Sequence, residues 1–422
     1  MSTVLDPPIV SKGTFKIARA KIVLALLIFT PLVYSFDGDP YRAYEVMVVG
    51  MLYLVVALPN LFRLRVWQRA GTLPLLGVCL LIMVQPALVP SVSLVYNLKI
   101  AAVLLFSFLP TLYLSNLNRP YRADELRYLS NALKFVFYLA ASSLAISAVT
   151  GLGEVYDEGG SYQRRVFSWL GDGFAPVMVF FFYYHVFAKK AVGAVVAAAC
   201  VIFLMQAKMA VGMAVLGCLT YLFIVARKRT RLLLLAATVA GVALLPPLVG
   251  GLTDGLHNFD YSLNNRLFSY NAGLQFFLSN PWFGVGANQA STILKNSSAE
   301  STKELDEAAI PFYEVFQIHN AFLSTLAELG LTGFTLLLVF CGVVVRRSWQ
   351  NIQHVHLHPS GQRGALISAF ALWLISFIVF YQTTSWFGFG NPQLAWLVCF
   401  FTLMNFLSAH PTGRRGGRSS RA

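Results

Sequence analysis

Residues 318–345, IHNAFLSTLAELGLTGFTLLLVFCGVVV, decide the fold, because they form a long apolar run in which Glu328 is the only charged residue. As a helix, the 27 residues from His319 to Arg346 would span about 40 Å at 1.5 Å each. The hydrocarbon core of a bilayer is about 30 Å thick. The stretch therefore predicts a transmembrane helix, with His319 at or above one membrane surface.

The composition of the whole chain also indicates a membrane protein. Its 422 residues are 57% hydrophobic and 12% charged, whereas soluble domains carry about 25% charged residues. This excludes a water-soluble enzyme. The formal net charge is +14, but the basic residues fall in short clusters between apolar runs, as in membrane loops, and leave no basic face for nucleic acid. We predict an all-α polytopic integral membrane protein, with residues 1–422 forming a single transmembrane domain.

Apolar runs near the ~20 residues needed to cross a bilayer predict 12 transmembrane helices. They lie at about 19–35, 43–62, 72–89, 96–117, 130–150, 173–188, 191–207, 209–226, 232–250, 318–345, 364–384 and 391–409. The seventh and eighth are separated only by Gln206-Ala207-Lys208. An even number of spans places both termini on the same side of the membrane.

Charge predicts the orientation. With both termini in the cytoplasm, that side collects 24 of the 32 Lys and Arg residues, as the positive-inside rule requires. Two outward loops are then long, at 151–172 and 251–317, and long loops are often functional. Ser301 and Glu304 are spaced as a capping box, which predicts a helical cap on the second loop. Residues 411–422 are predicted to form a disordered cytoplasmic tail.

The outward side carries few cations, and four of them stand out: Arg164, Arg165, Lys208 and Arg266. They could meet at one outer vestibule and bind the phosphate or diphosphate of a lipid headgroup, since guanidinium groups bind phosphate oxygens bidentately. Ion pairs with acids of the same loops, or contacts with lipid headgroups, would explain them equally well. Composition alone leaves both interpretations open.

His319 lies on the outer side at the start of the tenth span. In a continuous helix Gly330 returns to within about 20° of the His319 face, and Gly333 falls about 40° to the other side. Small residues on this stripe would let a neighbouring helix approach closely, so we expect His319 to face the bundle. A helix N-terminus and nearby arginines disfavour imidazolium, which would leave a neutral general base. A helix-capping histidine is the alternative.

No outward cluster of His, Asp or Glu has the spacing of metal ligands. We therefore predict no metal and no cofactor.

Two motifs carry a resemblance to a known family. His319-Asn320, nine residues, Gly330, two residues and Gly333 resemble the signature of bacterial O-antigen ligases, the lipopolysaccharide ligases. Arg266 followed by Pro281-Trp282-Phe283-Gly284-Val285-Gly286 is similar to the arginine and Pro-x-x-Gly-x-Gly of the wider superfamily. That superfamily includes O-antigen polymerases and protein O-oligosaccharyltransferases.

Three further residues follow the family pattern in part. Arg164 and Arg165 match its arginine-bearing outer loop, and the pattern does not decide which of the two is functional. Lys208 stands where relatives often carry arginine, which keeps the charge but loses the guanidinium fork. Bidentate phosphate binding at Lys208 is therefore not expected.

The resemblance implies a GT-C-like glycosyltransferase at the periplasmic face of the bacterial inner membrane. It would transfer O-antigen polysaccharide from undecaprenyl diphosphate to the lipid A-core oligosaccharide. Because no metal-ligand motif lies on the outward side, we expect the transfer to be direct, inverting and metal-independent. His319 would act as the base, Arg266 would act in catalysis, and Arg164 or Arg165, Lys208 and Arg266 would bind the diphosphate. Four residues would support the site: Asn320, Glu314, Gly330 and Gly333.

Three other functions remain open at this stage. A polymerase or a protein O-oligosaccharyltransferase would use the same donor and differ in its acceptor. The nine-residue spacing to Gly330 favours the ligase. A transporter of lipid-linked saccharides would also need many spans and a cationic vestibule, but should show inverted repeats and charges near the midplane, neither of which is clear in this chain.

Overall fold

A computed structural model describes residues 21–25, 27–28, 63–89, 92–117, 123–150, 154–156, 162–164, 175–188, 192–204, 208–227, 229–230, 256–287, 289–290, 292–294, 318, 320–357, 361–380 and 392–408. The longer helices among them are α1 (Leu64–Ala70), α2 (Leu73–Leu88), α3 (Leu94–Asn116), α4 (Ala123–Thr150), α5 (Ala175–Phe187), α6 (Val192–Leu204), α7 (Lys208–Val225), α8 (Leu256–Ser279), α9 (Ala321–Leu357), α10 (Gly361–Phe380) and α11 (Pro392–Ser408). Residues 21–25 and 27–28 are helical too.

One short sheet interrupts the helical pattern. Strands β1 (Glu154–Tyr156) and β2 (Tyr162–Arg164) pair antiparallel, with Val155 opposite Gln163. The hairpin lies inside the predicted outward loop at 151–172. The all-α expectation is confirmed for the described helices, and these two three-residue strands are the departure from it.

The described helices fit a helical membrane protein. Two of them, Ala321–Leu357 and Gly361–Val379, are long and apolar enough to cross a membrane. Five shorter apolar helices accompany them at Leu73–Leu88, Val177–Phe187, Val192–Ile202, Ala210–Val225 and Trp396–Ser408. The spans expected at 43–62 and 232–250 lie outside the described residues, as do the helical cap and the tail. The count of 12 stays a prediction.

The core is built around α10, which packs against α5, α7, α9 and α11. Trp373 is fully buried, and its ring centroid lies 4.6 Å from that of Phe377 and 4.6 Å from that of Phe400. Phe370 stacks on Phe180 with a centroid distance of 4.5 Å. A helix that is apolar and buried on nearly all sides occupies the centre of a bundle.

The outer faces of the bundle are apolar as well. On α4 the side chains of Phe135, Tyr138, Ile146 and Val149 are exposed. Water-soluble proteins rarely leave such extended apolar surface open, whereas lipid tails solvate it readily. The exposed faces therefore agree with a membrane environment.

Helix α4 begins earlier than the predicted span at 130–150, and its first turn carries an ion pair. The Lys21 ammonium lies 3.0 Å from the Asp124 carboxylate. The hydrogen bond from Lys21 lowers the pKa of the Asp124 carboxyl. An acid in the first turn also complements the positive end of the helix dipole. This exposed ion pair links the start of α4 to the helical residues 21–25.

Candidate active site

Helix α9 is broken at Gly330, in the middle of the stretch that carries the histidine motif. Gly330 has φ 64° and ψ −168°, in the left-handed region that glycine adopts without steric cost. An unbroken helix would pair the Leu331 and Thr332 N–H groups with the carbonyls of Ala327 and Glu328. The break releases these four backbone groups, and a buried backbone group must find another partner.

A loop from the preceding segment supplies all four partners. We call residues 281–287 the docking loop, and its joint with residues 327–332 the interlock. Four backbone hydrogen bonds form it: Val285 N to Ala327 O (2.9 Å), Gly286 N to Glu328 O (3.0 Å), Leu331 N to Pro281 O (2.8 Å) and Thr332 N to Trp282 O (3.3 Å). The loop thus replaces the helical bonds that Gly330 removes.

Glycine is required on both sides of the interlock. Gly284 has φ 69°, and a Cβ added there would overlap the backbone of Glu328 and Ala327. A Cβ at Gly330 would overlap the backbone of Trp282 and Phe283. The two family motifs recognised in the sequence are therefore the two sides of one backbone joint.

This geometry corrects the predicted helical stripe. The stripe of His319, Gly330 and Gly333 assumed one continuous helix, and the φ of Gly330 interrupts that phase. The backbone that approaches Gly330 belongs to a loop, not to a neighbouring helix. The obstacle at Gly333 differs from those at Gly284 and Gly330, because a Cβ there would overlap the Leu329 side chain of its own helix. The single-stripe prediction is wrong.

The first half of α9, residues 321–329, has a defined start. The Asn320 side-chain oxygen accepts a hydrogen bond from Leu323 N at 2.9 Å, and its carbonyl accepts one from Ser324 N at 2.8 Å. This is an N-cap, which satisfies backbone donors that have no partner inside the helix. His319 lies outside the described residues. Its two chain neighbours are described: Ile318 is buried and Asn320 caps the helix.

A small apolar cluster joins α8, the docking loop and the first half of α9. Its buried members are Val285, Ala290, Leu294, Ile318 and Ala327, with Ala272, Phe276 and Leu323 packed against them. A Cβ at Gly273 of α8 would lie 3.1 Å from Ile318 Cδ1 and 3.1 Å from Leu323 Cγ. Helix α8 therefore packs tightly beside the residues that flank His319.

The sequence analysis missed α8, although its periodicity carried the signal. The predicted outward loop at 251–317 contains this helix of 24 residues. Its buried or half-buried positions, 269, 270, 272, 273, 276 and 277, follow the spacing of one helical face. Arg266 lies in α8, two turns before Gly273.

The structure places the other predicted residues only in part. Arg164 ends β2 opposite Glu154, and Lys208 begins α7. Arg165 and Glu314 lie outside the described residues. The meeting of these cations at one vestibule, and the choice between Arg164 and Arg165, therefore stay predictions.

Two further observations concern polar groups. Among the described residues, no group of three or more His, Cys, Asp and Glu side chains is placed to hold a metal ion. Gln85 of α2 is fully buried beside the interlock, and the sequence analysis did not single it out. Its only signal was a glutamine inside an otherwise apolar run.

The fold and this site define a helical membrane protein in which the docking loop hydrogen-bonds to the break in α9. Residues 193–338 match the family described as O-antigen ligase. The matched segment contains Arg266, both motifs and the whole interlock. It confirms the resemblance of this segment to the O-antigen ligase/polymerase superfamily. No curated protein matches the chain.

The family match has coarse functional consequences. It implies a glycosyltransferase-type membrane enzyme of lipopolysaccharide biosynthesis that acts on lipid-linked saccharides.

Proposed function

We propose that this protein is an O-antigen ligase, which transfers O-antigen polysaccharide from undecaprenyl diphosphate to the lipid A-core oligosaccharide. The reaction takes place at the periplasmic face of the bacterial inner membrane, with both termini of the chain in the cytoplasm. One observation carries the proposal: the family match covers a complete His-Asn-x9-Gly-x2-Gly motif. The nine-residue spacing favours a ligase over a polymerase, whose donor chemistry is the same.

The reaction is a single displacement that inverts the anomeric carbon. The acceptor hydroxyl oxygen bonds to that carbon as its bond to the diphosphate oxygen breaks. His319 takes the hydroxyl proton. The electron pair of the broken bond stays on the departing undecaprenyl diphosphate, which is where negative charge develops most.

Cations of the chain take the place of a metal ion at the leaving group. Arg266 binds the diphosphate together with Lys208 and with Arg164 or Arg165. Guanidinium groups stay protonated at any relevant pH and fit phosphate oxygens bidentately. The placement of Arg266 on α8, which packs beside Ile318 and Leu323, supports this role.

The start of α9 supports the role of His319 as a base. The N-terminus of a helix carries a partial positive charge, equivalent to about half an elementary charge. A histidine next to the Asn320 cap is disfavoured as imidazolium and so remains neutral and able to accept a proton. In this proposal Glu314 orients the imidazole ring of His319.

The test is ligation with purified components. Wild type, His319→Ala and Arg266→Lys are incubated in detergent with undecaprenyl-diphosphate-linked O-antigen, lipid A-core and a chelator, and the products are separated as a ladder. Wild type should yield a ladder and His319→Ala none. Arg266→Lys should be clearly impaired, because one ammonium does not reproduce the guanidinium fork.

Each other outcome has a definite meaning. Longer glycans on the lipid carrier, without a ladder on lipid A-core, would make the protein a polymerase. A normal ladder from His319→Ala would refute the base assignment, and retention of the anomeric configuration would refute single displacement. A ladder that requires added metal would refute the metal-independent reaction.

A further inference from the structure

A buried glutamine bonds to both sides of the interlock. Gln85 of α2 is completely shielded from solvent. Its Nε2 group donates to the Phe283 carbonyl at 2.6 Å and to the Glu328 carbonyl at 2.7 Å. Phe283 belongs to the docking loop and Glu328 to the first half of α9. The side-chain amide of Gln85 thus donates one hydrogen bond to each of the two segments that form the interlock.

The oxygen of the same side chain is also fully used. Gln85 Oε1 accepts hydrogen bonds from Ala287 N at 3.1 Å and from Asn97 Nδ2 at 3.1 Å. A glutamine amide has two donors and two acceptor sites, so every one of its hydrogen-bonding positions is occupied. The orientation is fixed as well, because a flipped amide would set its oxygen against two carbonyl oxygens.

A second buried amide, on α3, holds Gln85 in place. Pro86 has no N–H, so it leaves the Ile82 carbonyl without its helical partner. Asn97 Nδ2 donates to that carbonyl at 2.8 Å and, through its other hydrogen, to Gln85. The proline inside α2 therefore creates an acceptor that anchors Asn97, and Asn97 in turn orients Gln85.

We propose that Gln85 is a positioning residue of the active site, and this inference rests on the proposed function. Through its four hydrogen bonds it keeps the docking loop seated in the break of α9. The first half of α9 begins at Ala321, two residues after His319 in the chain, so a shift of the docking loop would be passed on to the residue proposed as the base. Gln85 lies outside the segment 193–338 that matches the family, and it joins that segment to the preceding helices.

The test compares three variants of the full chain in the ligation assay. Gln85→Met keeps the length of the side chain and removes all four hydrogen bonds. Gln85→Glu keeps the shape of the side chain but places a carboxylate oxygen against the Phe283 and Glu328 carbonyl oxygens. Gln362→Met is the matched control, because Gln362 donates to Ser130 Oγ at 2.6 Å and to Tyr184 Oη at 3.4 Å on other helices.

We expect kcat of Gln85→Met and Gln85→Glu to fall about 10- to 100-fold, since a displacement of about 1 Å at a reacting group costs this much. In both Gln85 variants the KM values of donor and acceptor should stay within about twofold of wild type. The kcat of the control Gln362→Met should also stay within about twofold of wild type. A fall of kcat that matches the loss of folded protein, measured by thermal unfolding, would reduce Gln85 to a stabilising role and overturn the proposal.

Amide hydrogen exchange provides a readout that does not need activity. In Gln85→Met, peptides covering 281–287 and 321–332 should exchange faster than in wild type, while those covering 361–380 should not change. Asn97→Asp removes the donors to Gln85 Oε1 and to the Ile82 carbonyl and should give an intermediate effect. Wild-type exchange in all peptides would overturn the proposal. Absence of ligation by wild type would instead refute the proposed function, and exchange alone would then decide whether Gln85 holds the joint.

Discussion

At the scale of single residues, two glycines determine the geometry of the site. Gly284 and Gly330 lie at φ 69° and φ 64°, and each faces the backbone of the opposite segment. A side chain at either position would meet backbone atoms, which have no freedom to rotate away. These glycines are therefore required for packing as well as for conformation.

Substitution of Gly330 by alanine should disrupt the interlock. With φ 64° and ψ −168°, Gly330 lies in a region that is essentially restricted to glycine and costs another residue about 1–3 kcal/mol. Overlap with Trp282 and Phe283 adds to this cost. We expect the thermal midpoint of detergent-purified Gly330→Ala to fall and ligation to be lost.

Gly342 offers a matched control for that substitution. It lies in the same helix, and a Cβ there meets no atom within 4 Å. Gly342→Ala should be neutral or slightly stabilising, because alanine is favoured over glycine in a helix by about 1 kcal/mol. Equal behaviour of the two variants would contradict the structural account of Gly330.

At the scale of elements, α8 and the first half of α9 act as one unit. They contact each other directly, and the small apolar cluster fills the space between them and the docking loop. The close approach depends on Gly273, because its missing side chain leaves room for Ile318 and Leu323. The position of α8, and with it that of Arg266, follows from this contact.

A large side chain at Gly273 should push α8 away from α9. Gly273→Leu overpacks a closed contact, which costs about 1–3 kcal/mol, and we expect the KM for the lipid-linked donor to rise as Arg266 moves. Asn271→Leu places the same leucine side chain at an exposed position of the same helix. It should leave KM unchanged, and a similar rise in both variants would exclude the packing explanation.

At the scale of the whole molecule, the protein is a helical bundle with an apolar centre and apolar outer faces. The centre consists of α10 and the aromatic side chains stacked around Trp373. The outer faces, such as that of α4, carry exposed aromatic and aliphatic side chains. The exposed fraction of each side chain distinguishes the apolar centre from the apolar outer faces, whereas amino-acid composition does not.

This difference predicts unequal effects of two truncations. Trp373→Ala should destabilise the bundle by about 3–5 kcal/mol, because it leaves a cavity between Phe377 and Phe400. Phe135→Ala removes an aromatic ring that is 56% exposed and should change the thermal midpoint little. Thermal unfolding in detergent measures both, and a large shift for Phe135→Ala would place α4 inside an interface.

The candidate site could be predicted from the sequence in part. The spacing of His319, Gly330 and Gly333 carried the resemblance to the superfamily. The motif named Asn320 as a supporting residue, but only the structure shows it as the helix cap. The roles of the glycines could not be predicted, because a spacing does not reveal the sign of φ. Gln85 could not be found at all, since it bonds to a carbonyl 198 residues away in the chain.

Local pattern and long-range contact therefore determined different features of this protein. The apolar runs and charge clusters by themselves predict membrane helices, because the length and hydrophobicity of a segment are local properties. Only the tertiary structure decided that α9 breaks and that a loop from another segment completes its hydrogen bonds. The physical reason is that a buried backbone group must be paired, and which group pairs with it depends on what the fold brings close.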